Sequence, residues 1–314
     1  MPELPEVQTT VNGLRKRVIG LSIANAWSDY NSAYYKGSQS IKDPAYFKRF
    51  RKQILGRKVV SVERRAKNIL INLDAGKGGV VKRLTILVHM KMTGHLLYGL
   101  YRFDRKAAKD PWEPIEPASL KDSYNRRIHF MLTFDNGRNL ALSDTRKFAK
   151  VAVMDSETAH LSEHLEGIGP EPVGPDFSLE KFSARLNLRP KVKIKQVLMD
   201  QTVIAGIGNI YADESLWRAG IHPLSRVAGI KARERKALYD AVRKTLSRGI
   251  DFGGDSMSDY RNVDGEKGKF QEKHMAYQRT NEKCGKLGCS GTIRRIVIGG
   301  RSTHYCDQHQ RLCK

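Results

Sequence analysis

Along the first twenty positions the apolar residues Val7, Val11, Leu14 and Val18 recur at helical spacing. Glu3 and Glu6 stand near the start, where negative charge suits a helix dipole, so the chain opens with a helix from about Pro5. Further on the period changes to two. Ile69, Ile71 and Leu73 alternate, and Ile128, Phe130, Leu132 and Phe134 line one face before the turn Asp135-Asn136-Gly137 and a return strand through Leu140 and Leu142. This alternation predicts a hairpin in an antiparallel sheet. Residues 99–125 follow neither period and read as a long loop. The segment GIGPEPVGP, residues 167–175, is dense in glycine and proline and marks a domain boundary. Beyond it the pattern is helical through SLEKFSARL, KQVLMD, ADESLWRAG and KALYDAVRKTLSRGI, where Leu238, Val242, Leu246 and Ile250 form one face. After Gly253 a polar, glycine-bearing stretch runs to about Gln278, and a cysteine-rich tail closes the chain.

Composition sharpens this picture. At 314 residues the chain fits two domains and a small appendage. Its 56 Lys and Arg against 33 Asp and Glu leave a formal charge of +23, the footprint of a protein that holds a polyanion, nucleic acid first among them. No apolar run is long enough to span a bilayer and no basic-then-apolar leader opens the chain, so an intracellular, cytoplasmic protein is expected. All four cysteines, Cys284, Cys289, Cys306 and Cys313, lie in the tail, which suits local metal binding better than a disulfide framework.

Three stretches carry candidate chemistry. In the tail, Cys284-x4-Cys289 and Cys306-x2-His309 flank the β-rich run from Thr292 to Ile298 and a Gly299-Gly300 turn, a spacing that predicts a structural zinc ribbon. Cys313 could replace His309, whose x2 spacing is the closer match. The ribbon would hold Arg294, Arg295 and Arg301 against phosphates. In QTVIAGIGNIYADESLW, Gly206, Gly208 and Asn209 sit at a junction of two helices, which would offer free N–H groups to an anion, with Lys191, Lys193 and Lys195 just upstream. The third stretch is MPELPEV. If Met1 is removed, Pro2 becomes a secondary amine with a pKa of about 8, a nucleophile at neutral pH. Its attack on a sugar's anomeric carbon gives a cationic iminium, an electron sink for eliminating the attached phosphates, and Glu3 stands beside it to move protons.

MPELPEV, RRAKNILINL, HMKMTG, DTRKFAK, KIKQVLMDQTVIAGIGNIYADESLWRAGIHP and RSTHYC occur in an order that resembles the formamidopyrimidine-DNA glycosylases, over residues 2 to about 310. PELPEV is closer to the oxidised-purine branch than to the endonuclease VIII branch. The resemblance implies an α+β multidomain fold. Residues 1–166 would form an N-terminal antiparallel β-sandwich with a flanking helix, 175–278 a helical helix-two-turn-helix domain, and 279–314 a C-terminal zinc-ribbon β-hairpin. It implies a monomeric base-excision-repair enzyme acting on damaged double-stranded DNA at the nucleoid, with one structural zinc ion and no organic cofactor. The expected activity is that of a bifunctional glycosylase and abasic-site lyase removing 8-oxoguanine and formamidopyrimidines by β,δ-elimination.

Residue by residue, the resemblance makes Pro2 the Schiff-base nucleophile, Glu3 the general acid, Lys67 the lysine that engages phosphate and assists elimination, and Arg301 the zinc-finger arginine on the phosphates. Lys195 and Asn209 match the phosphate-holding pair, and Arg127 falls where the family has a DNA-binding histidine. Met92, Arg146 and Phe148 match the trio that fills the void left by a flipped nucleotide, Arg146 also contacting DNA. The metal ligands would be Cys284, Cys289, Cys306 and His309. The chain departs from the family with HMKMTG for HLGMSG, RKFAK for RRFG, and no fourth cysteine closing a CxxC pair. Two other readings are a pyrimidine-preferring glycosylase and a damage-binding protein without catalysis; a pure binder has no use for the Pro2, Glu3 and Lys67 set.

Overall fold

In the computed structural model, which describes residues 1–76, 82–107 and 110–314, the opening apolar stripe is helix α1 (Leu4–Val18). Val7, Val11, Leu14 and Val18 are all fully buried, each contributing roughly 1.5–3 kcal/mol by leaving water. The strand β1 (Ile23–Ser28) and the helix α2 (Pro44–Ile54) follow. The sequence reading leaves α2 unassigned, although its signals are plain: Asp43 accepts from the Ala45 N–H as N-cap, Pro44 starts the helix, and Tyr46, Phe50 and Ile54 share its buried face.

The strands β2 (Val59–Arg65), β3 (Asn68–Leu73), β4 (Leu84–His89), β5 (His95–Phe103), β6 (Trp112–Glu116), β7 (Ile128–Phe134), β8 (Asn139–Ser143) and β9 (Lys150–Asp155) complete two antiparallel sheets. One is ordered β1-β7-β8-β5-β6 and the other β2-β3-β4-β9. Their facing side chains, among them Val62, Ile69, Ile71, Ile86 and Val88 from one sheet and Leu96, Phe130, Leu132, Leu140 and Leu142 from the other, form a single core, which is the expected β-sandwich. The β7–β8 hairpin pairs Phe130 with Leu142 and Leu132 with Leu140 around the Asp135-Asn136-Gly137 turn.

Residues 99–125 are corrected by the structure. They hold the end of β5, all of β6 and two 3-10 turns at Ala118–Lys121 and Ser123–Asn125; of this stretch, 108–109 lie outside the described residues. The period-two signal is lost there because β5 is buried on both faces. Leu96 and Tyr98 point into the sandwich core, while Leu97 and Tyr101 pack under Leu120 and Met131 in a second cluster.

Beyond the boundary segment come α3 (Leu179–Leu186), α4 (Ile194–Met199), α5 (Asn209–Ala219), α6 (Ala232–Asp251) and the hairpin β10 (Ile293–Ile298) and β11 (Arg301–Cys306). Leu238, Val242 and Leu246 of α6 are fully buried in the helical core, with Leu4, Ile194, Tyr211 and Leu216. Two compact units result. The first holds Met1–Pro2, Glu6–Glu166 and Gly253–Gly268, the second Glu3–Pro5, Gly167–Phe252 and Lys269–Lys314. The stretch Gly253–Gly268 therefore returns to the sheet unit: the Asp255 N–H donates to Glu6 Oε1 at 2.7 Å and the Tyr98 N–H donates to the Val263 carbonyl at 2.7 Å. Among the described residues no helix is long and apolar enough to cross a membrane.

Candidate active site and metal centre

In the second unit, the N-terminal Glu3 is tied to the start of α5. Its carboxylate accepts from the N–H groups of Gly208 at 2.9 Å, Ile210 at 3.0 Å and Tyr211 at 3.3 Å, and the Leu4 N–H donates to the Gly206 carbonyl at 3.0 Å. The glycines permit this approach. A Cβ on Gly208 would lie 2.3 Å from Glu3 Cδ, and one on Gly206, at φ +81, would lie 2.7 Å from Leu4. This corrects the expectation that the junction offers free N–H groups to an external anion: Glu3 itself is the anion at this helix N-terminus.

Lys195 is also placed differently from its expected role. It has no exposed surface, and its Nζ donates to Asp213 Oδ1 at 2.5 Å and to the Asn209 carbonyl at 2.9 Å. Burial pulls its pKa below the ordinary lysine value, with Asp213 acting in the opposite direction. A buried, paired ammonium braces α5. Lys191 and Lys193 of the same run are exposed, and their signal in the sequence is the alternation KVKIK, in which only the last lysine turns inward.

Helix α5 meets the ribbon along one stripe. Asn209 Nδ2 donates to the Ser302 carbonyl at 3.0 Å, Asp213 Oδ2 accepts from the His304 N–H at 2.9 Å, and Trp217 Nε1–H donates to Cys284 Sγ at 3.3 Å. The exposed Arg301 adjoins Ser302 at the start of β11, so Asn209 and Arg301 are brought together. The ligand atoms of Cys284, Cys289, Cys306 and His309 all lie within 4.8 Å of one another. His309 Nδ1 stands 3.3 Å from Cys284 Sγ and 3.8 Å from Cys289 Sγ, while its Nε2 lies 2.9 Å from the Trp217 carbonyl. That second bond fixes the tautomer which leaves Nδ1 for a metal. Three thiols and one imidazole converging at this spacing fit a tetrahedral metal. Cys313 is outside the cluster, with its N–H donating to Ser225 Oγ at 3.0 Å.

In the first unit, Pro2 is buried and Met1 is 40% exposed. Lys67 occupies the two-residue turn between β2 and β3, with Ala66 at φ 53, and is nearly buried. Burial, with Lys91 and Lys67 nearby, pushes His89 down to about 3, so it is neutral here.

Met92 lies half-buried in the β4–β5 turn, and Arg146 and Phe148 project from the β8–β9 turn, Phe148 45% exposed. The Arg146 guanidinium sits over the Phe148 ring at 4.5 Å. Asp144, wholly buried, joins the two turns. It accepts from Thr93 Oγ1, from the Arg146 N–H at 3.2 Å and from the Ala149 N–H at 2.7 Å. Asp144 also donates its own N–H to the Arg127 carbonyl at 3.1 Å, so Arg127, at φ 69 and paired with Asp110 at 3.0 Å, borders the same turn. The sequence reading misses Asp144 and Thr93, polar residues in turns that adjoin the apolar strands β8 and β5, and that position is the available signal.

Known proteins place this arrangement. The N-terminal domain model of formamidopyrimidine-DNA glycosylase matches residues 1–151, and the helix-two-turn-helix domain model of the same family matches residues 168–261. A protein of Herpetosiphon aurantiacus named formamidopyrimidine-DNA glycosylase is 38% identical over 98% of both chains, and one of Ruegeria pomeroyi is 34% identical over 99% of this chain and 100% of its own. Among solved structures, a Lactococcus lactis Fpg mutant in complex with Fapy-dG DNA superposes with a TM-score of 0.79 at 28% identity, over 99% of this chain and all of the other. The Lactococcus lactis Fpg with abasic-site DNA gives 0.78 at 28% identity, over 98% and 99%. With both family models matched and full-length relatives above 30% identity, the chain belongs to the formamidopyrimidine-DNA glycosylase family.

Proposed function

We propose that this chain is a monomeric base-excision-repair enzyme of the cytoplasm and nucleoid that binds damaged duplex DNA, removes oxidised purines such as 8-oxoguanine and formamidopyrimidines, and cleaves the resulting abasic site. The observation that carries this reading is the clamp on Glu3, whose three N–H bonds fix the PELPEV segment from the residue next to Pro2 onward. A damage-binding protein has no need to hold its terminus so firmly.

Once Met1 is removed, the Pro2 nitrogen attacks C1′ and the damaged base leaves with its bonding electrons and a proton. Loss of the amine proton and ring opening give the iminium. Removal of a C2′ proton then drives electrons into the iminium and breaks the C3′–O bond, and a second elimination breaks the C5′–O bond, with Glu3 moving protons. Lys67, Arg127 and Arg301 hold phosphates, as does the Asn209 region, with Lys191 and Lys193 in the place first expected for Lys195. Met92, Arg146 and Phe148 fill the vacated stack. Zinc is the metal that suits the Cys284, Cys289, Cys306 and His309 set, and it holds the ribbon that carries Arg301. Residues 1–166 act as the catalytic domain, joined by Gly253–Gly268, the remainder of 175–278 as the helix-two-turn-helix domain and 279–314 as the zinc finger.

Borohydride trapping tests the mechanism. Protein with a free Pro2 should form a reduced covalent complex with 8-oxoguanine duplex, while Pro2→Gly and a chain still carrying Met1 should trap weakly or not at all. Undiminished trapping by the Met1-blocked chain would move the nucleophile elsewhere, with Lys67 the first suspect.

A further inference from the structure

The segment between β1 and α2, residues 29–43, belongs to none of the roles assigned above, yet it supports the turn that presents Arg146 and Phe148. That turn is sharp: Lys147 has φ 55, a left-handed conformation unfavourable for a residue with a Cβ. Its carbonyl accepts from Lys42 Nζ at 2.6 Å. Lys42 is only 5% exposed, and its ammonium lies 4.7 Å from the Tyr35 ring centre and 5.7 Å from that of Tyr30. The same segment holds the other end of Lys147, whose Nζ pairs with Asp29 at 3.1 Å; Asp29 also takes His129 Nδ1 at 2.9 Å. Next to Lys42, the Ile41 N–H donates to the Val151 carbonyl at 3.1 Å, fixing the segment to β9 just past the turn.

A lysine is rarely enclosed without a function for its charge. The groups facing Lys42 are the rings of Tyr30 and Tyr35, the Lys147 carbonyl, the carboxylate of Asp144, and the cations Lys91 and Lys150 at greater reach. Asp144 grips the turn from inside through the Arg146 and Ala149 N–H groups, so Lys42 supplies the matching grip on the carbonyl side. Between these two grips the exposed arginine stacks on the phenylalanine ring, and its backbone N–H also reaches Thr93 Oγ1 at 3.3 Å.

The geometry points to Lys42 as a positioning residue: its bond to the Lys147 carbonyl holds the left-handed turn that aims Arg146 and Phe148 into the vacated stack. This rests on the void-filling reading of Arg146 and Phe148. Lys42 touches no DNA; it sets how often the turn is found in the inserting conformation.

The test uses a duplex carrying 2-aminopurine opposite a tetrahydrofuran abasic analogue, so that fluorescence reports insertion beside the orphan base. Lys42→Met keeps the apolar stem and removes the donor. It should reduce the insertion signal and lower single-turnover excision about tenfold or more, the scale of one lost charge-assisted hydrogen bond, while affinity for undamaged duplex and its salt slope stay unchanged. Lys42→Arg should restore most of both. If Lys42→Met does not fold, Lys42→Gln, too short to reach the carbonyl, makes the same comparison. Arg146→Ala separates the two ideas. If it abolishes the insertion signal while the Lys42 variants leave it intact, the positioning role is wrong and the void-filling reading stands. If Arg146→Ala leaves the signal intact, both fall.

Discussion

The placement of Lys195 makes a prediction that can be worked through in two independent quantities. Lys195 and Asp213 are both without exposed surface and 2.5 Å apart, and Asp213 also serves the His304 N–H. Removing one member of such a pair strands the other in a low-dielectric interior, so Lys195→Met should destabilise the helical unit by about 3 kcal/mol or more. Removing both charges, as in Lys195→Met with Asp213→Asn, should recover part of that loss, because no buried charge is then left alone. DNA binding supplies the second quantity. Each phosphate contact contributes a slope of about 0.9 to the fall of log K with log salt, so a lost contact weakens its share of binding by roughly 3.5-fold less between 50 and 200 mM. Lys195→Met should leave that slope unchanged, whereas Lys191→Ala and Lys193→Ala should each flatten it. Urea unfolding followed by Trp217 fluorescence, in a background with the other two tryptophans, Trp27 and Trp112, changed to phenylalanine, reads the first quantity. Fluorescence anisotropy on plain duplex at several salt concentrations reads the second. A Lys195→Met protein of undiminished stability, with its slope flattened by about 0.9, would show that the ammonium leaves Asp213 to contact DNA and would refute the reasoning.

Gly208→Ala places a Cβ 2.3 Å from Glu3 Cδ and should displace the carboxylate from its three N–H donors; single-turnover excision should fall about a hundredfold or more, and an alanine variant with full activity would mean the clamp is dispensable. For the metal centre, mass spectrometry under native conditions should find one zinc in Cys313→Ser and little in His309→Ala. Trp217→Phe, which removes the N–H on Cys284 Sγ, should weaken metal affinity about 10–100-fold by competition with a chelator. His95 is enclosed and burial pushes it down to about 4, although Thr93 and Asn125 bond its ring. Its folded value lies below the unfolded one, so its contribution is complete above about pH 6.5 and is lost as pH falls toward 4. The sheet unit should lose about 2–3 kcal/mol across that window, and His95→Gln should make its unfolding less pH-dependent there.

Much of the architecture was legible wherever one face of an element is wet or polar. The α1 stripe has a solvated side, so its period survives in the sequence; β7 is largely buried on both faces, and its period survives because the polar His129 and Thr133 alternate with the core residues Ile128, Phe130, Leu132 and Phe134. The alternation of β5 does not, since Leu96 and Leu97 are buried on opposite faces. The cysteine and histidine spacing was readable because a ribbon's ligands are local. Lys195 and the glycine junction were not: whether a lysine turns inward depends on Asp213 one helix later, and whether the α5 N–H groups are open depends on Glu3, some two hundred residues earlier. Such pairings are set by tertiary structure, and a local pattern carries no trace of them.

The stripe Asn209, Asp213, Trp217 has a consequence for how this part of the protein can change. Four residues of helix advance about 6 Å along its axis, and two residues of strand advance about 6.8 Å, so Asn209 and Asp213 meet Ser302 and His304 in step. The helix acts as a ruler laid against the ribbon. Side chains along it can be exchanged one at a time, but one inserted or deleted residue within α5 turns everything beyond it by about 100° and takes Asp213 and Trp217 off the ribbon together. Ribbons borrowed from relatives with other ligand spacings should therefore be accepted when the cut leaves this stripe whole, and rejected when length is altered by even a single position inside it.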